Sequence, residues 1–162
     1  VVSDDEVNKA MGEYVQSVLN QIGFKATLKP ISNNIQFTYI QNTKNKVQIS
    51  VTQWYQDYPA ASDFLYVLLG CASFTPNSDS SINMAGYCNK SIDAKMKAAI
   101  AKGVTDQAAA NVMWGAIDQE IMKDAPVAVA FTPKQLDFIS SGTKNYIFSL
   151  QYKMFVSQLQ VK

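Results

Sequence analysis

Histidine and arginine are both missing from this chain of 162 residues, so every one of its 14 basic side chains is a lysine. Without histidine there is no Ser-His-Asp or Cys-His catalytic set, and no imidazole to ligate a metal. Without arginine there is no bidentate clamp for phosphate or carboxylate. Charge of either sign is not in excess: 14 basic against 13 acidic residues leave +1, which is no electrostatic footprint for nucleic acid. Long apolar runs are lacking as well, none approaching the roughly 18 residues of a membrane span. What is present is globular in character, with 48% apolar and 17% charged residues. The length suits one domain, usually about 100–200 residues, and a chain of that size buries roughly 70% of its unfolded surface.

The chain opens on Val1-Val2 and then the acidic run Asp4-Asp5-Glu6, with no basic-then-apolar leader, as a mature chain would also read. The two valines read as the tail of a β-strand whose beginning is missing, so a fragment is expected. Residues 5–22 follow the helical rhythm, with Val7, Ala10, Met11, Tyr14, Val15, Val18, Leu19 and Ile22 as its stripe, Ser3 or Asp4 as cap, and Gly23 at the left-handed C-terminal position. Phe24–Ile31 alternates as a strand stopped at Pro30, and Val47–Trp54 alternates again. Segment 33–42 is a short helix or a turn.

Helices are expected over Ala61–Leu69 with Ser62 as cap, over about 90–102 with Asn89 as cap and Ile92, Met96, Ala99 and Ile100 on one face, and after Thr105 with a stripe of Ala109, Val112, Met113, Ala116, Ile117 and Ile121. Asp124-Ala125-Pro126 ends the last helix, and Val127–Phe131 reads as a short buried strand. Residues 134–162 are strand-like, with a turn at Ser141-Gly142. Strands alternating with helices favour an α/β layer with a partly parallel sheet.

In open α/β sheets, ligands bind beyond the carboxyl ends of strands. The segment after Val47–Trp54 carries Trp54, Tyr55, Asp57 and Tyr58 ahead of Pro59. The rings offer flat faces that also hydrogen-bond, and Asp57 offers a carboxylate, a combination suited to a cationic or amine-bearing ligand. Closing a core is the competing role for such aromatics, and capping a turn the competing role for Asp57. Nothing assembles a nucleophile, a base and an oxyanion site, so the chain reads as non-enzymatic and without a cofactor. A hydrolase would need an acid pair about 5–10 Å apart. Asp57 and Asp63 are the pair to consider, since Asp118 and Glu120 do not share a helical face. Lys90, Lys95, Lys97 and Lys102 read as a solvated helix face. Cys71 and Cys88 either close a loop as a disulfide or remain two thiols; without histidine they leave a tetrahedral metal set incomplete.

In order along the chain stand Gln21-Ile-Gly-Phe-Lys-Ala-Thr-Leu-Lys-Pro30, Trp54-x-x-Asp57-Tyr58-Pro59, Asp63-Phe64-Leu65, Gly86-Tyr87-Cys88-Asn89 with Ile92-Asp93, and Asp124-Ala125-Pro126-Val127. This series resembles the solute-binding proteins of the dipeptide/oligopeptide/nickel class of ABC transporters (family 5), and specifically their carboxyl-terminal half, largely the second lobe.

The resemblance implies a periplasmic-binding-protein-like lobe of type II, with a mixed, mostly parallel sheet and helices on both sides. Residues 1–162 would form that single lobe, with about 132–162 as a return segment towards a missing first lobe. It implies an extracytoplasmic location, with a lipoprotein anchor on the missing part. The partners would be a peptide or other small solute, the permease subunits and the first lobe. Asp57 would pair with a peptide α-amino group, Trp54 would line the cleft, and Cys71 and Cys88 would form the disulfide of the dipeptide-binding branch. Ala60-Ala61 replaces the family's second acid or Asn after the proline. The same scaffold takes nickel complexes and oligosaccharides, and an extracellular interaction domain outside transport is the remaining alternative. Removing the first lobe is expected to expose an apolar or aromatic face near Trp54 and Tyr58, through which the isolated lobe could self-associate.

Overall fold

The computed structural model describes residues 1–132, 134, 136–149 and 151–161. Pro133, Gln135, Leu150 and Lys162, all in the expected return segment, lie outside the described residues. The architecture is mixed α/β. Strand β1 (Val2–Ser3) leads into helix α1 (Glu6–Gln21), then β2 (Pro30–Ile31), α2 (Asn33–Gln41), α3 (Ala61–Leu69), α4 (Lys90–Gly103) and α5 (Gln107–Asp124). Four two-residue strands follow: β3 (Thr143–Lys144), β4 (Phe148–Ser149), β5 (Lys153–Met154) and β6 (Gln160–Val161).

Pairing among the described strands is sparse. β1 pairs in parallel with β2, while β3 with β6 and β4 with β5 are antiparallel. On the other side of β1, the Val1 amine donates to the Ile49 carbonyl at 2.7 Å and the Val51 N–H donates to the Val1 carbonyl at 3.1 Å. This is the slanted spacing of a parallel ladder. β1 therefore runs between residues 29–31 and 49–51.

The rest of the two expected strands is irregular. Residues 24–28 take their backbone partners from α1 instead of a neighbouring strand: Gln16 Nε2 donates to the Ala26 carbonyl at 2.9 Å, and the Ala26 N–H donates to Asn20 Oδ1 at 2.9 Å. Ile49 and Val51 bond the Val1 backbone beside β1, and Gln36 Nε2 donates to the Val51 carbonyl at 3.2 Å. Side-chain amides thus do what a strand ladder would otherwise do.

The helices follow their caps and periodicity. Asp5 caps α1, accepting from the Asn8 N–H at 3.0 Å, one position beyond the expected Ser3 or Asp4. At its far end Gly23 has φ +98°, its N–H reaches the Asn20 carbonyl, and the Phe24 N–H reaches the Leu19 carbonyl. This is a Schellman closure. Gly12 faces the sheet; a Cβ there would stand 2.5 Å from Val2 Cγ1 and 2.7 Å from Leu28 Cδ1, so glycine lets β1 and residue 28 lie directly on α1. Asn89 caps α4 as expected, accepting from Ser91 and Ile92.

Three placements in α3 and α5 differ from expectation. Ala60, not Ser62, stands at the cap of α3 and makes no side-chain cap. Asp106, not Thr105, caps α5. The buried face of α5 is Ala110, Trp114, Ile117 and Ile121, whereas Val112 is 75% exposed.

The main core is the packing of α3, α4 and α5: Leu69 meets Ile92, Met96 and Ala99 of α4 and the four inward residues of α5. Ala99 and Ala110 are both completely buried, and small side chains there let α4 and α5 approach closely. The lysines behave as a solvated face: Lys95 pairs with Glu120, Lys97 with Asp93 and Lys102 with Asp106. Ile100, expected on the inward face, is exposed. Val127–Phe131 forms neither a strand nor core, and Val129 and Phe131 are exposed.

Much apolar surface stays uncovered. The accessible surface is 11131 Å², against about 8,000 Å² for a compact monomer of this mass. Exposed apolar side chains line one side of α1 (Val7, Tyr14, Val18) and the stretch from Val127 to Val156. Tyr55 and Tyr58 are exposed too, so the expected open aromatic face exists but is the smaller part.

The Ser3 hydroxyl, the Asn8 side-chain amide and the Asn8 backbone N–H hold Asp5 down at about 2. The Ser3 hydroxyl also points to Asn33 Oδ1 at 3.0 Å, so its one proton is shared between the two. Because the folded value lies below the unfolded one, this cap supports the fold fully above about pH 4, the ordinary carboxylate range. The support is lost as pH falls towards 2. A carboxyl-carbon NMR titration is expected to give Asp5 a midpoint near 2; an ordinary midpoint near 4 would contradict the capping geometry.

Candidate ligand-binding site

The segment from Trp54 to Ala60 leaves the parallel edge and runs into α3, and the first turn of α3 organises it. Asp63, in that turn, turns its carboxylate back so that Oδ2 accepts the Asp57 N–H at 2.8 Å. The Ser62 hydroxyl donates to the Tyr58 hydroxyl oxygen at 3.2 Å. The Ala60 N–H donates to the Tyr58 carbonyl, and the Asp63 N–H to the Ala60 carbonyl. Ala60 cannot cap a helix with its side chain. Asp63 supplies the acid of the first turn, where the helix dipole favours negative charge.

On this frame the expected site residues divide. Asp57 is exposed, and its carboxylate makes no hydrogen bond or ion pair among the described residues. Tyr58 is exposed and fixed by Ser62. Tyr55 is exposed, and the Lys153 ammonium lies 4.6 Å from its ring centre. Trp54 is half-buried, and its indole Nε1 is buried without an acceptor.

Two surface depressions stand out. One lies along α1 at Glu13, Gln16 and Asn20, the other between α3 and α5 at Phe64, Leu65 and Trp114; neither includes any of the four site residues. Asp57, Tyr55 and Tyr58 are open to solvent, and Trp54 is partly so. No group of His, Cys, Asp or Glu among the described residues could hold a metal, and no described helix is long and apolar enough to cross a membrane.

The loop between α3 and α4 is bound tightly. Cys71 and Cys88 form a disulfide with Cα atoms 4.6 Å apart, within the usual span of such bridges. Asp93, buried in the first turn of α4, accepts the Cys71 N–H at 2.9 Å and pairs with Lys97 at 2.8 Å. Lys97 and the Cys71 N–H together hold the Asp93 carboxyl below its usual range against the opposing effect of burial.

Asn83, almost fully buried, donates to the carbonyls of Gly70 at 3.1 Å and Tyr87 at 2.7 Å and accepts the Tyr87 N–H. The Tyr87 hydroxyl donates to Asp124 at 2.6 Å, joining the loop to the end of α5. Burial and then the Asp124 carboxylate push that phenol up to about 12.

Sequence reasoning missed Asp63, Ser62, Asn83 and Lys153 as organisers. A helix-start reading could have found Asp63, because an acid in the third helical position commonly reaches back to upstream N–H groups. Nothing local marks Asn83 or Lys153.

Residues 1–76 match the family model described as bacterial extracellular solute-binding proteins, family 5 Middle. The matched stretch includes β1, α1, β2, α2, the site segment and α3, while the disulfide's second cysteine, α4 and α5 lie beyond it. No curated protein matches the chain.

Reducing the disulfide, which closes a separation of 17 residues, is expected to lower stability by roughly 3 kcal/mol. Denaturant unfolding with and without reductant measures it; superimposable curves would show that Asn83 and Asp93 hold the loop without the bridge. The similarity to bacterial extracellular solute-binding proteins of family 5 covers residues 1–76 of the 162.

Proposed function

We propose that this chain is part of the second, carboxyl-terminal lobe of the extracytoplasmic substrate-binding component of an ABC importer, and that its solute is a peptide. The lobe contributes one wall of a cleft, a first lobe contributes the other, and closure traps the solute for delivery to the permease. A lipoprotein anchor on the first part of the protein holds it at the cell surface. The short parallel run through residues 29–31, 1–3 and 49–51 belongs to a larger, mostly parallel sheet with helices on both sides.

The observation that carries the reading is the Asp57 carboxylate. It is exposed and without a partner among the described residues, held at its own backbone by α3, and flanked in sequence by Trp54, Tyr55 and Tyr58 within the family-matched stretch. A peptide α-ammonium brought against it on closure would be paired as it loses water, and the rings would exclude solvent from the pair. The uncovered apolar surface of α1 and of residues 127–156 supports a chain that packs against further protein.

Thermal unfolding of the intact protein is expected to rise with di- to pentapeptides, but not with nickel chelates or oligosaccharides. The gain should reach about 2.7 kcal/mol at a hundred times the dissociation constant. Asp57→Asn should weaken peptide binding at least tenfold, about 1.4 kcal/mol. Stabilisation by nickel chelates or sugars alone would replace the peptide reading, and unchanged binding by Asp57→Asn would remove Asp57 from the site.

A further inference from the structure

We propose that Asp63 is a positioning residue for solute capture: its buried carboxylate sets the orientation of Asp57 and so the selectivity for a free amine. The inference rests on the reading of Asp57 given above and deepens it.

Asp63 has no exposed surface at all, in a chain whose other acids reach solvent at least in part. Its position in the first turn of α3 places it against the positive end of that helix. One oxygen, Oδ2, takes the Asp57 N–H at 2.8 Å; the other, Oδ1, is buried and has no hydrogen-bond partner. A structural acid that only capped its helix would bond the N–H groups of its own first turn or the cap residue. Asp63 instead reaches six residues back, to the one backbone group in the Trp54–Ala60 segment that carries the unpartnered carboxylate.

The consequence is geometric. Residues 57–60 are held by Asp63 at the Asp57 N–H, by Ser62 at the Tyr58 hydroxyl, and by backbone bonds from Ala60 to Tyr58 and from Asp63 to Ala60. The backbone from which the Asp57 side chain leaves is therefore held before ligand arrives, so the carboxylate has fewer positions to search. Preorganisation of this kind removes an ordering cost from binding. It also favours a ligand whose donor reaches the arc that the Asp57 carboxylate can sweep from a fixed backbone. A fully buried acid at a nine-residue helix start, where Ala60 makes no cap, is explained by this second duty.

The test compares free and N-acetylated forms of one tripeptide, Ala-Ala-Ala, on the intact protein by calorimetry. The wild type is expected to prefer the free amine by at least tenfold. Asp57→Asn should abolish that ratio. Asp63→Ala should reduce it at least threefold, Asp63→Asn, which keeps an acceptor oxygen, should restore most of it, and Asp57→Asn/Asp63→Ala should be no worse than Asp57→Asn. A ratio unchanged in Asp63→Ala while Asp57→Asn abolishes it would overturn the inference and leave the reading of Asp57 intact. A ratio unchanged in Asp57→Asn would overturn both.

Should Asp63→Ala not fold, amide hydrogen exchange on the wild type decides. The Asp57 N–H is expected to exchange at least tenfold more slowly than that of Tyr58. Equal rates would show that Asp63 does not hold the turn.

Discussion

The hydrogen bond between the Asp57 backbone and the buried Asp63 carboxylate joins the two halves of this molecule's chemistry. On one side lies the α3–α4–α5 core, which gives the structure its rigid part. On the other lies an aromatic segment with little regular structure of its own. Leu69 buries the far end of α3 among Ile92, Met96 and Trp114, so the helix is fixed by packing. Its near end then has rigid groups, Ser62 and Asp63, with which to hold residues 57–60. A site on a loop gains precision from a scaffold in this way, because the loop inherits its geometry from a buried helix and not from its own backbone.

The disulfide loop serves the same end from behind. Asn83 satisfies two carbonyls and an N–H inside it, and Asp93 ties the Cys71 backbone to α4. A buried amide with every bond made specifies one arrangement of the chain around it. The core that carries α3 is thereby closed by covalent and polar contacts at the end away from Asp57. Around the sheet the balance is different. There, Gln16, Asn20 and Gln36 satisfy backbone groups with side chains, and apolar residues of α1 remain in solvent.

The helices were legible in the sequence because their ends are written in single residues. Gly23 adopts the left-handed angle that a helix end asks for, Asn89 caps α4, and Ala61–Leu69 matches its apolar run. The strands were less legible because alternation states only that one face is apolar. Pairing needs a neighbour, and residues 24–28 find α1 where a neighbouring strand was expected. The face of α5 was misplaced because apolar residues occur all round it. Trp114 and Ala110 decide the buried side by fitting against Ala99 and Met96, which no periodicity within α5 reports. At the site, Asp57 and its aromatics could be named from their types. Asp63 could be placed at a helix start, but not its complete burial, which is a property of the packed turn.

The central claim is that Asp57 meets the charged amine of a peptide on a wall held by α3. A crystal structure of the intact protein with bound peptide tests it most directly. The peptide α-amino nitrogen is expected within about 3 Å of an Asp57 carboxylate oxygen, a charge-assisted contact, with the Asp57 N–H still on Asp63. A peptide bound with its amine elsewhere, and Asp57 facing only water, would contradict it.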